Sequence, residues 1–245
     1  MTDRLQREQS FHDKRFSEPT ERARKVGRFY HLATSAQADY RRLLAAQPAD
    51  WALEYGCGAT NHALDLAQNG IRVVGIDISS VALHLARQTT DAENVSFSQM
   101  NAEGLALGNN SFDLVYGTGI LHHLDLEAAL SEIARVLQPN GRAIFIEPLG
   151  HNIFFNAFRT LTPNIRSPDE HPLLIKDLAL FNRFFGIVET HYYYFTTLVL
   201  TPLANLRMFP TLLKAAETVD QTLFKLPFLQ KQAWQILIQL SQPRQ

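Results

Sequence analysis

Between Trp51 and Ile146, short β-rich runs alternate with stretches whose apolar residues recur every three or four positions, the pattern of strands and helices in turn. "WALEYG" predicts a first strand, and "HALDLAQNG" a helix that Asn69 and Gly70 close in the manner of a C-cap. "IRVVGID" predicts a second strand, and "SSVALHLARQTT" a helix whose start Ser79 or Ser80 can cap. "VSFSQM", "SFDLVYGTG" and "GRAIFIEP" supply three more strands. Between the last two, Leu130, Ile133, Ala134 and Leu137 mark a helix that a Pro-Asn-Gly turn stops. Such alternation predicts βαβ units doubly wound about a mostly parallel sheet.

After Glu147 the pattern changes. "PLGHNIFFNAFRTLTPNIRSPDEHPLL" is rich in aromatics, prolines and histidines without a clean period, and reads as an inserted cap. "IKDLALFNRFFG" predicts a helix and "IVETHYYYFTTLVL" a β-rich segment. "AWQILIQLS" alternates, with Trp234, Ile236, Ile238 and Leu240 on one side and Gln235 and Gln239 on the other, and predicts the final strand. The long apolar connection 201–230, broken by Pro202, Pro210 and Pro227, has the size of a lid, a pocket wall or an interface.

Composition narrows the classes. Of 245 residues, 46% are apolar and 19% charged, enough to bury a core without covalent staples, and one domain is the expectation. Cys57 is the only cysteine, so an intramolecular disulfide is excluded. With an N-terminus that lacks the apolar core of a signal peptide and no run long enough to span a bilayer, a cytoplasmic setting is expected. A net charge of −1 argues against a nucleic-acid partner. Residues 1–42 nevertheless hold ten Lys and Arg against six Asp and Glu, a basic arm that reads first as a solvated helix face.

The turn at Gly56 and Gly58 follows the first strand and precedes a helix, the device that brings backbone close to a cofactor at the carboxyl ends of parallel strands. A dinucleotide fingerprint would need a third glycine where Asn61 stands. Glu54, two residues before the first glycine, opposes a diphosphate and suits a cationic guest such as an α-ammonium group, by about 4 kcal/mol for unit charges 4 Å apart at an effective dielectric of 20. Asp77, ending the second strand, is placed to accept from ribose hydroxyls, a role common to both cofactor classes. Asn101 and Ala102 follow the third strand at the height of an adenine edge, and the glycines ending the fourth lie where a sulfonium would sit.

These segments, "LEYGCGAT", "VVGIDIS", "NAEGLALGNNSFDLVYGTGILHHL" and "LQPNGRAIFIEP", together resemble the successive motifs of class I S-adenosylmethionine-dependent methyltransferases, in the branch of quinone-biosynthesis and small natural-product enzymes. The resemblance runs from about Ala49 to Pro148, with Thr60 and Asn101 standing where glycine and aspartate are common. It implies S-adenosyl-L-methionine as cofactor, with S-adenosyl-L-homocysteine as product. Glu54, Gly56, Cys57 and Gly58 would lie around the methionine portion, Asp77 and Ile78 around ribose and adenine, Asn101 and Ala102 on adenine, and Gly117 below the sulfur. Tyr30, in an N-terminal segment similar to that branch, would reach the site. The expected architecture is a doubly wound, Rossmann-like α/β sheet with an antiparallel final strand, a helical cap and lid insertions. It divides into an N-terminal cover (1–46), a cofactor-binding core (47–148), a cap and helix (149–186) and the last strands (187–245) with the lid 201–230.

His122 and Glu147, at the ends of the fourth and fifth strands, and His151 in the cap are the candidate general bases, with His123 and His171 beside them. Their alternative roles are packing and hydrogen-bonded scaffold. Cys57 suits a small buried position better than a nucleophile, and no His, Cys or Asp cluster has metal-ligand spacing. The expected substrate is a small hydrophobic or aromatic molecule, methylated on O, N or C. The N-terminal helix, the cap after Glu147 and the lid 201–230 would form its pocket, with Phe154, Phe155, Phe158 and the apolar lid lining it or burying a homo-oligomer interface instead. The competing readings are a non-catalytic S-adenosylmethionine-binding interaction protein and a nicotinamide-dependent oxidoreductase.

Overall fold

A computed structural model of the chain describes residues 2–18, 29, 32–59, 62–162 and 167–244. Its centre is one seven-stranded sheet of β1 (Trp51–Tyr55), β2 (Arg72–Asp77), β3 (Val95–Gln99), β4 (Phe112–Thr118), β5 (Leu137–Pro148), β6 (Phe185–Tyr193) and β7 (Gln235–Pro243), in the order β3-β2-β1-β4-β5-β7-β6. β1 to β5 run parallel, and β7 inserts antiparallel between β5 and β6. The architecture is thus the doubly wound, Rossmann-like one. The strand order reverses between β1 and β4, and an open α/β sheet has its ligand crevice outside the carboxyl ends at such a switch point.

Side-chain alternation builds a core on each face. Leu53 and Tyr55 of β1, Val115 of β4 and Phe145 of β5 join Leu130 and Ile133 of α5 (Leu126–Val136) and Phe181 of α7 (Leu178–Phe184). Ala52, Leu114, Tyr116 and Ile144 face the other way, against Tyr40 of α2 (Thr34–Ala45), Leu66 of α3 (Ala63–Ala67) and Leu213 of α8 (Phe209–Leu223). Ser79 caps α4 (Ser80–Thr89), its hydroxyl accepting the Ala82 N–H at 3.1 Å. The Pro-Asn-Gly segment does not separate helix from strand as expected. α5 passes directly into β5, and the segment forms a bulge where the register with β4 slips between Phe112 and Leu114. Trp234 lies just before β7, in the opposite core from Ile236 and Ile238.

The cap contains α6 (Ile153–Leu161), and the lid contains α8 and the short α9 (Pro227–Gln230). Buried Asp220 of α8 ties the lid down, accepting the N–H groups of Phe195 and Thr196 at 2.9 and 2.8 Å and the hydroxyls of Thr196 and Thr197 at 2.6 and 3.0 Å. Among the described residues, no helix is long and apolar enough to cross a membrane.

Candidate functional site

A cleft of about 950 Å³, its open mouth included, lies outside the carboxyl ends of β1 to β4. Its walls are residues 56–59 after β1, 76–78 at the end of β2, 100–102 after β3 and 118–120 after β4. The N-terminal helix α1 (Asp3–Ser17) covers it with Leu5, Glu8, His12, Arg15 and Phe16. No described residue beyond Leu124 lines it. The described residues of the cap and lid thus do not line this cleft, although Ser167 and Asp169 of the cap contact α1. Phe155 and Phe158 pack with Phe29, and Phe155 also with Trp234, ring centroids 4.9 to 5.9 Å apart, against the opposite core.

The glycine turn needs its glycines. Gly56 and Gly58 have φ of +69° and +60°, and a Cβ on Gly56 would come within 2.7 Å of the Ile120 side chain. The Cys57 N–H donates to the Ile76 carbonyl at 2.9 Å, and the Gly58 N–H to Asp77 Oδ2 at 2.9 Å. Asp77 Oδ1 accepts the Ser79 N–H at 2.8 Å, so this carboxylate ties the first loop to the second while remaining on the cleft wall. Cys57 is buried and burial pushes its thiol up, which agrees with a packing residue and not a thiolate nucleophile. Asn101 Oδ1 accepts the Glu103 N–H at 3.1 Å, and Ala102 offers its carbonyl to the Tyr55 hydroxyl. Gly56, Cys57, Gly58, Asp77, Ile78, Asn101 and Ala102 are thus brought together as expected. Tyr30 lies outside the described residues.

Glu54 and Gly117 are not on the wall. Strand alternation turns the Glu54 side chain to the α2 and α3 face, where Oε1 accepts the His62 N–H at 2.9 Å and Oε2 the Tyr116 hydroxyl at 3.3 Å. Burial raises its pKa to about 8, although those hydrogen bonds favour the charged form. The Glu54 carboxyl is therefore engaged at the start of α3 and off the cleft wall, not set at the strand tip facing a guest as expected. Gly117 is a packing position, where a Cβ would stand 2.6 Å from the Tyr55 carbonyl oxygen. Thr118 and Gly119 form the wall beside it.

The three candidate bases are displaced too. His122 Nδ1 lies 2.7 Å from Glu147 Oε2, and Glu147 Oε1 accepts the N–H groups of Ile120 and Leu121 at 2.9 and 2.8 Å. This buried pair fixes the turn after β4 and is not among the residues lining the cleft. His151 accepts the Ile175 N–H at 3.3 Å inside the cap. His171 is exposed, its N–H donating to the His122 carbonyl at 2.8 Å. The histidine on the wall is His123, and α1 brings it two further groups, Glu8 and His12.

Polar contacts hold α1 over the cleft. Arg4 pairs with Glu103 and donates to the His123 carbonyl at 3.1 Å; Arg7 pairs with Asp169 at 2.8 Å. Asp13 Oδ1 accepts the Ser79 hydroxyl at 2.6 Å. Burial alone would raise the Glu8 pKa, but the facing His12 and His123 rings and the Ser167 hydroxyl hold its carboxyl well below the usual range. Burial, with the charge of His122, pushes His123 down to about 3 against the pull of Glu8. The sequence marks His123 beside the candidate bases but not its meeting with Glu8 and His12, for which the i, i+4 spacing of those two on one helix face is the available signal.

Residues 53–145 match a family model described as a methyltransferase domain. The chain is 35% identical over 124 residues to the demethylmenaquinone methyltransferase of Lactococcus lactis, covering 45% of this chain and 49% of that one. It is 36% identical over 105 residues to an O-methyltransferase of Pyrenophora dematioidea, covering 40% and 39%. The matched segments span about half or less of these relatives. The fold is similar to that of the geranyl diphosphate C-methyltransferase of Streptomyces coelicolor, solved with S-adenosyl-L-homocysteine, at a TM-score of 0.64 and 13% identity over 98% of both chains. With its strand order, glycine turn and cleft, the chain has the doubly wound Rossmann-like fold, and its residues 53–145 are similar in sequence to methyltransferase domains.

Proposed function

We propose that this chain transfers a methyl group from S-adenosyl-L-methionine to a small, hydrophobic or aromatic acceptor. The observation that carries this reading is the cleft at the switch point, cradled by Gly56 and Gly58 and carrying Asp77, Asn101 and Ala102 on one wall. The residues fit the cofactor. The left-handed glycines leave backbone where side chains would intrude, and each Asp77 oxygen, already accepting one N–H, keeps a lone pair for a ribose hydroxyl. The adenine would lie against Ile78, Asn101 and Ala102, and the methionine portion against residues 56–59 and 118–120. When bound, the cofactor supplies an electrophilic methyl group on a sulfonium.

The chain's own contribution is positioning and exclusion of water. Holding donor and acceptor in line supplies up to roughly 7–11 kcal/mol of the barrier reduction. α1, latched by Arg4, Arg7 and Asp13, closes the mouth against solvent. His123 is the titratable side chain after β4 on the wall, and it takes the place given to His122 and Glu147 as the side chain facing an acceptor.

A nicotinamide cofactor fits less well for a reason the folded chain adds. A diphosphate would use the N–H groups at the start of α3, and Glu54 already takes that of His62. The non-catalytic reading draws support from exposed apolar side chains on the lid and cap, among them Met208, Phe228 and Leu161, which also suit a homo-oligomer contact. Calorimetric titration with S-adenosylhomocysteine, NADH in parallel, tests the cofactor; labelled methyl transfer to a panel of aromatic acceptors tests the reaction. Micromolar binding of the first ligand alone, with a methylated product, is the expected result. Binding of NADH, or of neither, overturns the reading.

A further inference from the structure

We propose that Glu8, His12 and His123 form a binding site for one divalent transition-metal ion of the zinc type, built between α1 and the turn after β4. Glu8 Oε2 lies 3.4 Å from His12 Nε2 and 3.1 Å from His123 Nδ1, and one donor atom from each of the three residues falls within 4.8 Å of the others. Four ligands at zinc bond lengths of about 2.0–2.1 Å stand about 3.3 Å apart along the edges of their tetrahedron. The two separations from Glu8 Oε2 match such an edge, and the third pair of donors lies within 4.8 Å.

The state of these atoms points the same way. Glu8 is 3% and His123 5% exposed, yet Glu8 Oε2 and His123 Nδ1 are buried without a hydrogen-bond partner. Buried polar atoms are nearly always satisfied. At 3.1 Å these two are near enough to bond but misaligned for it, as two ligands directed at a common third point would be. The other carboxylate oxygen, Oε1, accepts the Ser167 hydroxyl, which orients Glu8 as outer partners orient metal ligands.

Two histidines and one carboxylate are a donor set suited to zinc, poor in oxygens for calcium and lacking the thiolates that soft ions prefer. All three residues line the cleft, so the fourth coordination position opens into it. A neighbouring combination, His122, His123 and Glu170, is less suited: His122 Nδ1 is engaged by Glu147 and Glu170 by Arg159. The ion would fasten α1 to the core, since two ligands come from the helix and one from the β4 turn. This inference stands independently of the cofactor reading.

The test uses the full chain without an affinity tag, stripped with a chelator and titrated calorimetrically with Zn²⁺, with Co²⁺ followed by visible absorption in parallel. One equivalent is expected to bind at micromolar Kd or tighter, with the intense visible bands of tetrahedral Co²⁺. Glu8→Gln and His12→Asn each weaken binding at least tenfold, while the exposed His84→Asn leaves it unchanged. Circular dichroism checks each fold; His12 is the least buried ligand, so its variant decides alone should Glu8→Gln unfold. Absence of stoichiometric binding, or binding that survives His12→Asn undiminished, overturns the proposal.

Discussion

Replacing Glu54 by glutamine tests the electrostatics of the strand-to-helix turn. The carboxyl is buried between the start of α3 and Tyr116, and its folded pKa of about 8 stands against 4.5 for an ordinary glutamate. Between those values the native chain holds a proton that the unfolded chain has released. Stability from this group is therefore complete below about pH 4 and is lost as pH rises through 8. A gap of about 3.5 pH units, at about 1.4 kcal/mol each, sets the limit on the order of 5 kcal/mol. Glutamine has no charge to bury, keeps an acceptor for the His62 N–H and differs from the wild type elsewhere by a constant. Urea denaturation of both proteins at pH 5, 6, 7 and 8 should show the variant gaining on the wild type by about 1 kcal/mol per pH unit. A difference that stays flat with pH would refute the burial argument. It would mean that Glu54 is solvated or charge-paired, and would return it to its anticipated role beside a cationic guest.

Four further outcomes follow from the geometry. Gly117→Ala drives a Cβ to 2.6 Å from the Tyr55 carbonyl and should cost about 1–3 kcal/mol or more, read as a lowered urea midpoint. Asp220→Ala strands the Phe195 and Thr196 N–H groups and should loosen α8, measured as faster hydrogen exchange across Thr196–Leu203 with β1 to β4 unaffected. Asp77→Ala removes the acceptor shared by Gly58 and Ser79, and should weaken S-adenosylhomocysteine binding tenfold to a hundredfold in calorimetry. Cys57, buried and with its thiol pushed up, should resist a disulfide reagent in the native protein and react only as fast as the chain opens.

How far the sequence could be read depends on the range of the forces involved. Strand alternation and helical spacing are local, so β1 to β5 and the turns carrying Gly56, Asp77, Asn101 and Ala102 are legible in the sequence, while Ile78 comes from the family resemblance alone. The direction of Glu54 was legible too, in principle: period two puts it on the opposite face from Tyr55, in the company of Ala52. Its position at the strand tip suggested a ligand contact, but the N–H of His62 and the hydroxyl of Tyr116 compete for the same carboxylate, and both partners come from other elements. His122 and His123 show the same limit more sharply. The two rings lie side by side, centroids 4.2 Å apart, and which of them lines the cleft is decided by Glu147, which lies 25 positions from His122 and captures its Nδ1. Nor can a helix reveal what it covers. Arg4, Glu8, His12 and Asp13 look like a solvated charged face in the sequence, and they become a latch and a cluster only where Glu103, His123 and Ser79 meet them from the core. Among the described residues the cap and lid do not line this cleft: Asp220 ties the lid to the segment after β6, the Phe155–Trp234 cluster holds α6, and the cap meets the cleft only through Ser167 and Asp169, which hold α1 over it. Access to the cleft is therefore governed by the contacts of α1, and a change that releases this helix should alter ligand exchange without disturbing the glycine turn beneath it.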